Sequence, residues 1–193
     1  MASLGHVAVG MLIGRLHGGS AARPPGRRPW NALAVFGGLA LAPDLDVLLV
    51  AMGLSDDGPF GHRGATHSVA AAFVGGAIIA VLFARRGWPL GRTLLASVAA
   101  IGSHAFLDIL DGARGLALLW PFSEARYRGP WPLLHEAPRG LELFCRAGVD
   151  CFLKEGLLFA PLFLLALWPS RARERTDQGL VADRPPPPAA SAG

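Results

Sequence analysis

Residues 93–110 read TLLASVAAIGSHAFLDIL. This stretch of 18 residues contains no proline and no basic residue, and its only carboxylate is Asp108. Crossing a hydrocarbon core ~30 Å thick takes roughly 17–25 helical residues, so the run has the length of a membrane span. Its Ala, Leu and Gly residues do not alternate with a period of two, which excludes a strand. Three further runs of the same character flank it, at 31–54, 67–84 and 152–169. A Gly/Pro/Arg loop (17–30), the polar turn SDDGPFGHRGAT (55–66) and a short basic turn (85–92) separate the early runs, and a mixed segment (111–151) precedes the last. Residues 1–16 are apolar but too short to span. They lack the basic start and the A-x-A-like site of a signal peptide, and are expected to stay in the mature chain. The pattern predicts an all-α, polytopic membrane helix bundle of four spans plus a short N-terminal membrane-embedded helix. One membrane-embedded domain covers 1–169. The remainder, 170–193, is charged and then Pro-rich (Pro185 to Pro188), the composition of a disordered tail.

Composition agrees. Of 193 residues, 52% are hydrophobic and 17% charged, against about 25% charged in soluble domains. Mean hydropathy is +0.40. A disordered chain is excluded, and an ordinary soluble domain is a poor fit. Two cysteines, Cys145 and Cys151, are too few for a disulfide scaffold or a four-thiolate zinc site and are expected as buried free thiols. The formal charge is +4, but the arginines lie in blocks between apolar runs and form no basic face, so nucleic acid is not an expected partner. Eleven of them (15, 23, 27, 28, 85, 86, 92, 171, 173, 175 and 184) fall on one side of the predicted topology, and six (63, 114, 126, 128, 139 and 146) on the other. Basic residues accumulate on the cytoplasmic side, which places the C-terminal tail there, in a bacterial-type inner membrane.

Ionisable residues inside apolar spans are rare without function. With this orientation, Asp44, Asp46, His62, His67, His104 and Asp108 all reach one level, the outer membrane interface. His104 and Asp108 are an i, i+4 pair on one helix face. His62 and His67 are five apart, so at least one belongs to the loop, and Thr66 is the expected N-cap of a helix starting at His67. Asp44 and Asp46 cannot share a face of a regular helix, but Pro43 breaks the helix there. A broken helix at membrane depth is tolerated where it lines a polar cavity. Mixed histidine and carboxylate ligands suit zinc or manganese, one or two ions. Singly, each residue also has a structural role open to it. A buried histidine can be a hydrogen-bonded core residue, Asp44 or Asp46 can cap a helix, and Asp108 can pair with Arg114. His17 is expected in solvent, His135 in a loop, and Trp120 and Trp131 as interfacial anchors.

In this order, Gly5-His6, PDLD (43–46), HRGATHS (62–68), SHAFLD (103–108) and GLALLWPFS (115–123) resemble the YdjM-type family of membrane-bound metal-dependent hydrolases. That family is distantly similar to the all-helical zinc phosphoesterases, among them zinc-dependent phospholipase C and related nucleases. The resemblance implies metal ligands at His6, Asp44 or Asp46, His62 or His67, His104 and Asp108. For His6 to join them, residues 3–16 must form a short helix running inward from the outer side, with Gly5, Ala8, Gly10 and Gly14 allowing close packing. The phosphoesterases carry a second H-x-x-x-D/E pair, which is absent after Asp108; Glu142 is the candidate carboxylate in its stead.

The expected function is hydrolysis of a phosphoester in a lipid or lipid-linked substrate by metal-activated water. One of Asp44 and Asp46 would be a ligand and the other a general base, with Arg63 holding phosphate. The alternative is a non-enzymatic membrane protein whose cluster is structural or handles ions. A transporter would place its polar site at the midplane of repeated halves, and neither feature is evident.

Overall fold

The computed structural model describes residues 3–18, 29–110, 114–130 and 144–168. His135, Glu142, Trp131 and the tail lie outside them, as do the arginines of the 17–30 loop. The described residues form six α-helices: α1 (Leu4–Gly18), α2 (Pro29–Leu39), α3 (Asp46–Ala51), α4 (Val69–Ala84), α5 (Leu90–Ile109) and α6 (Arg146–Leu167). Two 3-10 turns, Ala42–Leu45 and Ala65–His67, precede α3 and α4. Among the described residues the fold is all-helical, with one isolated bridge between Leu116 and Tyr127.

Two local features differ from expectation. The helix after the HRGATHS turn starts at Val69, not His67. Its N-cap is Ser68, whose Oγ accepts the Ala71 N–H at 3.0 Å. Thr66 is not free to cap, because its hydroxyl donates to Asp46 at 2.6 Å. The break after α2 appears where Pro43 enters a 3-10 turn, and α2 and the following helical stretch meet at 57°.

α1 lies antiparallel against α2 at close range. A Cβ on Gly10 would stand 2.3 Å from the Phe36 carbonyl oxygen, so glycine is needed for the approach. His17, expected in solvent, is instead buried in the last turn of α1 against Phe36 and Trp88. The helix carries it past the loop boundary into the core formed by Ala32, Phe36, Trp88 and Ala100. A second core cluster, Ala8, Leu107 and Phe159, joins α1, α5 and α6. Cys145 is exposed and Cys151 half-buried; both are free thiols, but the expected burial is not found.

Leu90–Ile109 is long and apolar enough to cross a membrane, and the bent pair Asn31–Leu39 and Ala42–Ala51 passes the same test when taken together. α4 is apolar but has 16 residues, about 24 Å. α6 has 22 residues yet carries Asp150, Lys154 and Glu155. By length and composition, one helix among the described residues is a span candidate, or two if the bent pair is one span, so the four expected spans are not established. The outward faces of α4, α5 and α6 present Phe73, Val74, Ile78, Leu95, Phe106 and Leu157. Apolar residues all around a bundle mark a helix whose surroundings are apolar too.

Candidate metal centre

The N-terminus of α1, the break before α3, the turn before α4 and the C-terminal half of α5 meet at one end of the bundle. They bring together His6, Asp44, Asp46, His62, His67, His104 and Asp108. His6 stacks on His104 with ring centroids 3.8 Å apart, and its Nε2 is 3.3 Å from Asp108 Oδ1. The other Asp108 oxygen, Oδ2, faces His67 Nε2 at 3.5 Å and His104 Nε2 at 3.6 Å. Asp44 Oδ1 is 3.2 Å from His104 Nε2 and 3.7 Å from His67 Nε2.

The histidine tautomers follow from the outer partners. His104 Nδ1 is 2.7 Å from the Ala40 carbonyl, which can only accept, so Nδ1 carries the proton. His67 Nδ1 donates to Asp46 Oδ2 at 3.2 Å, and His62 Nδ1 to Asp46 Oδ1 at 2.8 Å. In its neutral form each ring then has Nε2 as the nitrogen without a proton. For His67 and His104 that atom is buried and has no hydrogen-bond partner. Metal-binding histidines are held in this way, through an outer carboxylate or carbonyl.

The two neighbouring aspartates have different work. Asp46 accepts from His62, His67, the Thr66 hydroxyl and, at 3.2 Å, the Arg63 backbone N–H. Both its oxygens are engaged and it is 1% exposed, so it holds the rings of His62 and His67 in place. Asp44 has a third of its side chain exposed and an oxygen aimed into the cluster. The sequence spacing separated the pair, but only the fold assigns the roles. Pro43 and the 3-10 turn carry Asp44, while Asp46 opens α3 behind it.

Arg63 is also inside the cluster. Its φ is 65°, uncommon for a residue with a side chain. The Asp46 carboxylate on its N–H and the Ala117 N–H on its carbonyl hold that conformation. Its guanidinium lies 3.6 Å from Asp108 and donates to the Arg114 carbonyl at 3.0 Å. Both its guanidinium and its backbone N–H are engaged by protein groups. Arg114, expected beside Asp108, pairs with Asp56 and Asp57 at 2.7 and 3.2 Å. The GLALLWPFS segment braces the turn from outside: Leu118 accepts the Val69 N–H, and Leu116 is fully buried. Trp120 packs edge-on against Phe60 of the turn.

The donor set fits a divalent cation. Two donors bound to one tetrahedral zinc at ~2.0–2.2 Å stand about 3.3–3.6 Å apart. The inward nitrogens and oxygens are spaced 3.2–3.7 Å apart, long for hydrogen bonds and close to that edge. They fall into two groups, His6 with His104 and Asp108, and Asp44 with His62 and His67, each with ligand atoms within 4.8 Å of one another. With the carboxylates ionised, Asp44, Asp46 and Asp108 outweigh the single guanidinium of Arg63 by two charges, the charge of one such ion.

The profile of the YdjM inner membrane protein family matches residues 1–176. The chain belongs to this family. It is 37% identical over 144 residues to the inner membrane protein YbcI of Escherichia coli (strain K12), an alignment covering 72% of this chain and 78% of that protein. No solved structure matches. The family gives this chain an inner-membrane location. All the cluster residues lie within the matched region.

One buried carboxylate was missed in the sequence. Glu155 of α6 is 1% exposed and accepts the Gly5 N–H at 3.1 Å. It stands inside the apolar run 152–169, where an acidic residue is itself a signal.

Proposed function

We propose that the chain is an integral inner-membrane hydrolase that holds one or two divalent cations, zinc or manganese, and cleaves a phosphoester in a lipid or lipid-linked substrate. The observation that carries this reading is the pair of buried, bare Nε2 atoms, on His67 and His104, aimed at carboxylate oxygens at the spacing of a metal's coordination edge. His6, His104 and Asp108 would hold one ion; Asp44, His62 and His67 the other. Three protein ligands leave one tetrahedral position open, the pattern of catalytic rather than structural zinc sites. Such an ion lowers the pKa of bound water to about 7 and polarises a phosphoryl oxygen.

The chain's own residues have separable roles. Asp108 offers its two oxygens to different histidines and so bridges the two groups. Asp46 fixes the rings of His62 and His67. Arg63 holds Asp108. Asp44, the most exposed member, is the ligand nearest the incoming substrate. Two divalent ions in this cluster would leave a net positive site, which suits a phosphate. The lipid assignment rests on the membrane location together with the apolar surroundings of the site.

In this reading the bent α2–α3 pair, α4, α5 and α6 are four spans around α1. The Arg-poor ends, with the cluster, face outward, and the tail is cytoplasmic. A reporter fused after Gly193 is expected to be active in the cytoplasm; activity only outside reverses the topology. The function is tested on protein purified in detergent without chelators, by metal analysis and a panel of phosphodiester and phospholipid substrates. Bound metal with hydrolysis that His104→Ala abolishes supports the proposal. A second reading draws on the burial of His6, His104 and Asp108, all 5% exposed or less, which also suits a closed structural ion. Stoichiometric metal with no hydrolysis of any substrate favours that reading, and protein without metal overturns both.

A further inference from the structure

Gly5, whose N–H Glu155 accepts, is in the first turn of α1, and the next residue is His6. The first N–H groups of a helix have no partner within it, and the helix dipole is positive there. The apolar contact of α1 with α5 and α6, through Ala8, Leu107 and Phe159, is non-directional and does not itself fix the register of α1 against α6. A slip of one residue moves a helix about 1.5 Å and turns it about 100°, enough to take His6 out of reach of Asp108.

A second polar contact lies at the other end of α1. Arg15 Nη1 donates to the Ala166 carbonyl at 3.2 Å and to the Trp168 carbonyl, at the C-terminal end of α6. The carboxyl of α6 thus holds the positive end of α1, and the guanidinium of α1 holds the negative end of α6. From Gly5 to Arg15 the helical rise is about 15 Å, and from Glu155 to Ala166 about 16.5 Å. The two contacts match only when the helices run parallel in one register.

We propose that Glu155 and Arg15 form a two-point clamp by which α6 sets the register of α1, and that Glu155 is thereby the positioning residue that delivers His6 to the metal centre. This rests on the metal reading above. A buried carboxyl with one oxygen unpartnered is a poor choice for stability alone, where an apolar side chain of similar size serves better. A role in register explains its place.

The test uses the full chain in detergent, with zinc retention measured against graded chelator. Glu155→Leu removes the acceptor and is expected to weaken one ion about 10–100-fold, as loss of a metal's outer support does. The ion held by Asp44, His62 and His67 is retained, which separates this from misfolding. Glu155→Gln keeps an Oε1 acceptor and holds zinc nearly as the wild type does. His6→Ala combined with Glu155→Leu loses no more than His6→Ala alone. A metal-independent arm places cysteines at Leu4 and Gly156, where a Cβ on Gly156 would stand 3.7 Å from Leu4 Cδ1, with Cys145 and Cys151 replaced by serine. A short thiol crosslinker joins them in the parent, and Glu155→Leu abolishes the product. Unchanged zinc retention and unchanged crosslinking in Glu155→Leu overturn the clamp. Normal crosslinking dependence in a protein that binds no zinc overturns the metal reading and leaves the register device standing.

Discussion

The bundle buries histidine at both ends, and among the described residues one end surrounds it with carboxylates. His17 and His104 are 3% and 0% exposed. His17 Nε2 is 3.0 Å from Thr93 Oγ1, whose own proton goes to the Pro89 carbonyl, so the histidine donates and the pair is neutral. Phe36 and Trp88 flank it, with ring centroids 5.0 and 4.9 Å away. His104 gives its Nδ1 proton to Ala40 and turns a bare Nε2 toward Asp44 and Asp108. Burial alone therefore makes a hydrogen-bonded core residue. The nearby carboxylate, with the second ring nitrogen pinned, is what makes a candidate ligand.

The largest effect is expected at Asp108, which faces three histidines of the cluster. Asp108→Ala should remove both ions, read as metal per chain by mass spectrometry of purified protein. A variant that keeps its full metal content would end the contrast between the two ends. His6→Ala comes next. His6 meets the cluster only through Asp108 and the face of His104, so one ion should be lost and the other kept. Loss of both would mean that the two groups are a single site.

That His6 belongs to the cluster was legible only through the family resemblance. Residues 1–16 on their own predict a short apolar segment and no partner. The i, i+4 spacing of His104 and Asp108 was readable because both lie on one regular helix. The division of labour between Asp44 and Asp46 was not. It depends on a 3-10 turn and on four donors that arrive from residues 62–67, contacts with no period in the sequence. The burial of Arg63 has no sequence signal for a like reason: it depends on a left-handed backbone and on the Ala117 N–H that reaches its carbonyl from another segment. His17 differs from expectation because α1 runs two residues further, through His17 and Gly18, than the start of the Gly/Pro/Arg loop at 17 implies. The count of four spans rests on run length alone: α4 has 16 residues, and α6 carries an exposed Asp150–Lys154 pair and the buried Glu155, so neither passes by length and composition.

A smaller effect is expected at Asp46, which touches the ligands and no ion. Asp46→Asn keeps the shape but replaces one acceptor oxygen by a donor, facing the Nδ1 protons of His62 and His67 and other donors. Retention of the ion held by Asp44, His62 and His67 should fall about 10–100-fold, while the His6 group keeps its own. Equal weakening of both ions would place Asp46 among the ligands themselves.

The smallest effect is expected at the other end, and it is the sharpest check on the comparison. His17→Phe removes one neutral hydrogen bond, worth about 1 kcal/mol, and puts an aromatic ring between two others. Thr93 keeps a partner, because its hydroxyl already donates to the Pro89 carbonyl. Thr93 is therefore not left with an unsatisfied donor, and loss of this bond should cost the purified protein about that amount of stability. Metal content and chelator resistance should match the wild type, since no carboxylate appears among the hydrogen-bond and ring partners described for His17. If His17→Phe lowered metal content as His6→Ala does, histidine burial rather than the carboxylate setting would be the relevant property, and the assignment of the metal centre to one end of the bundle would fail with it.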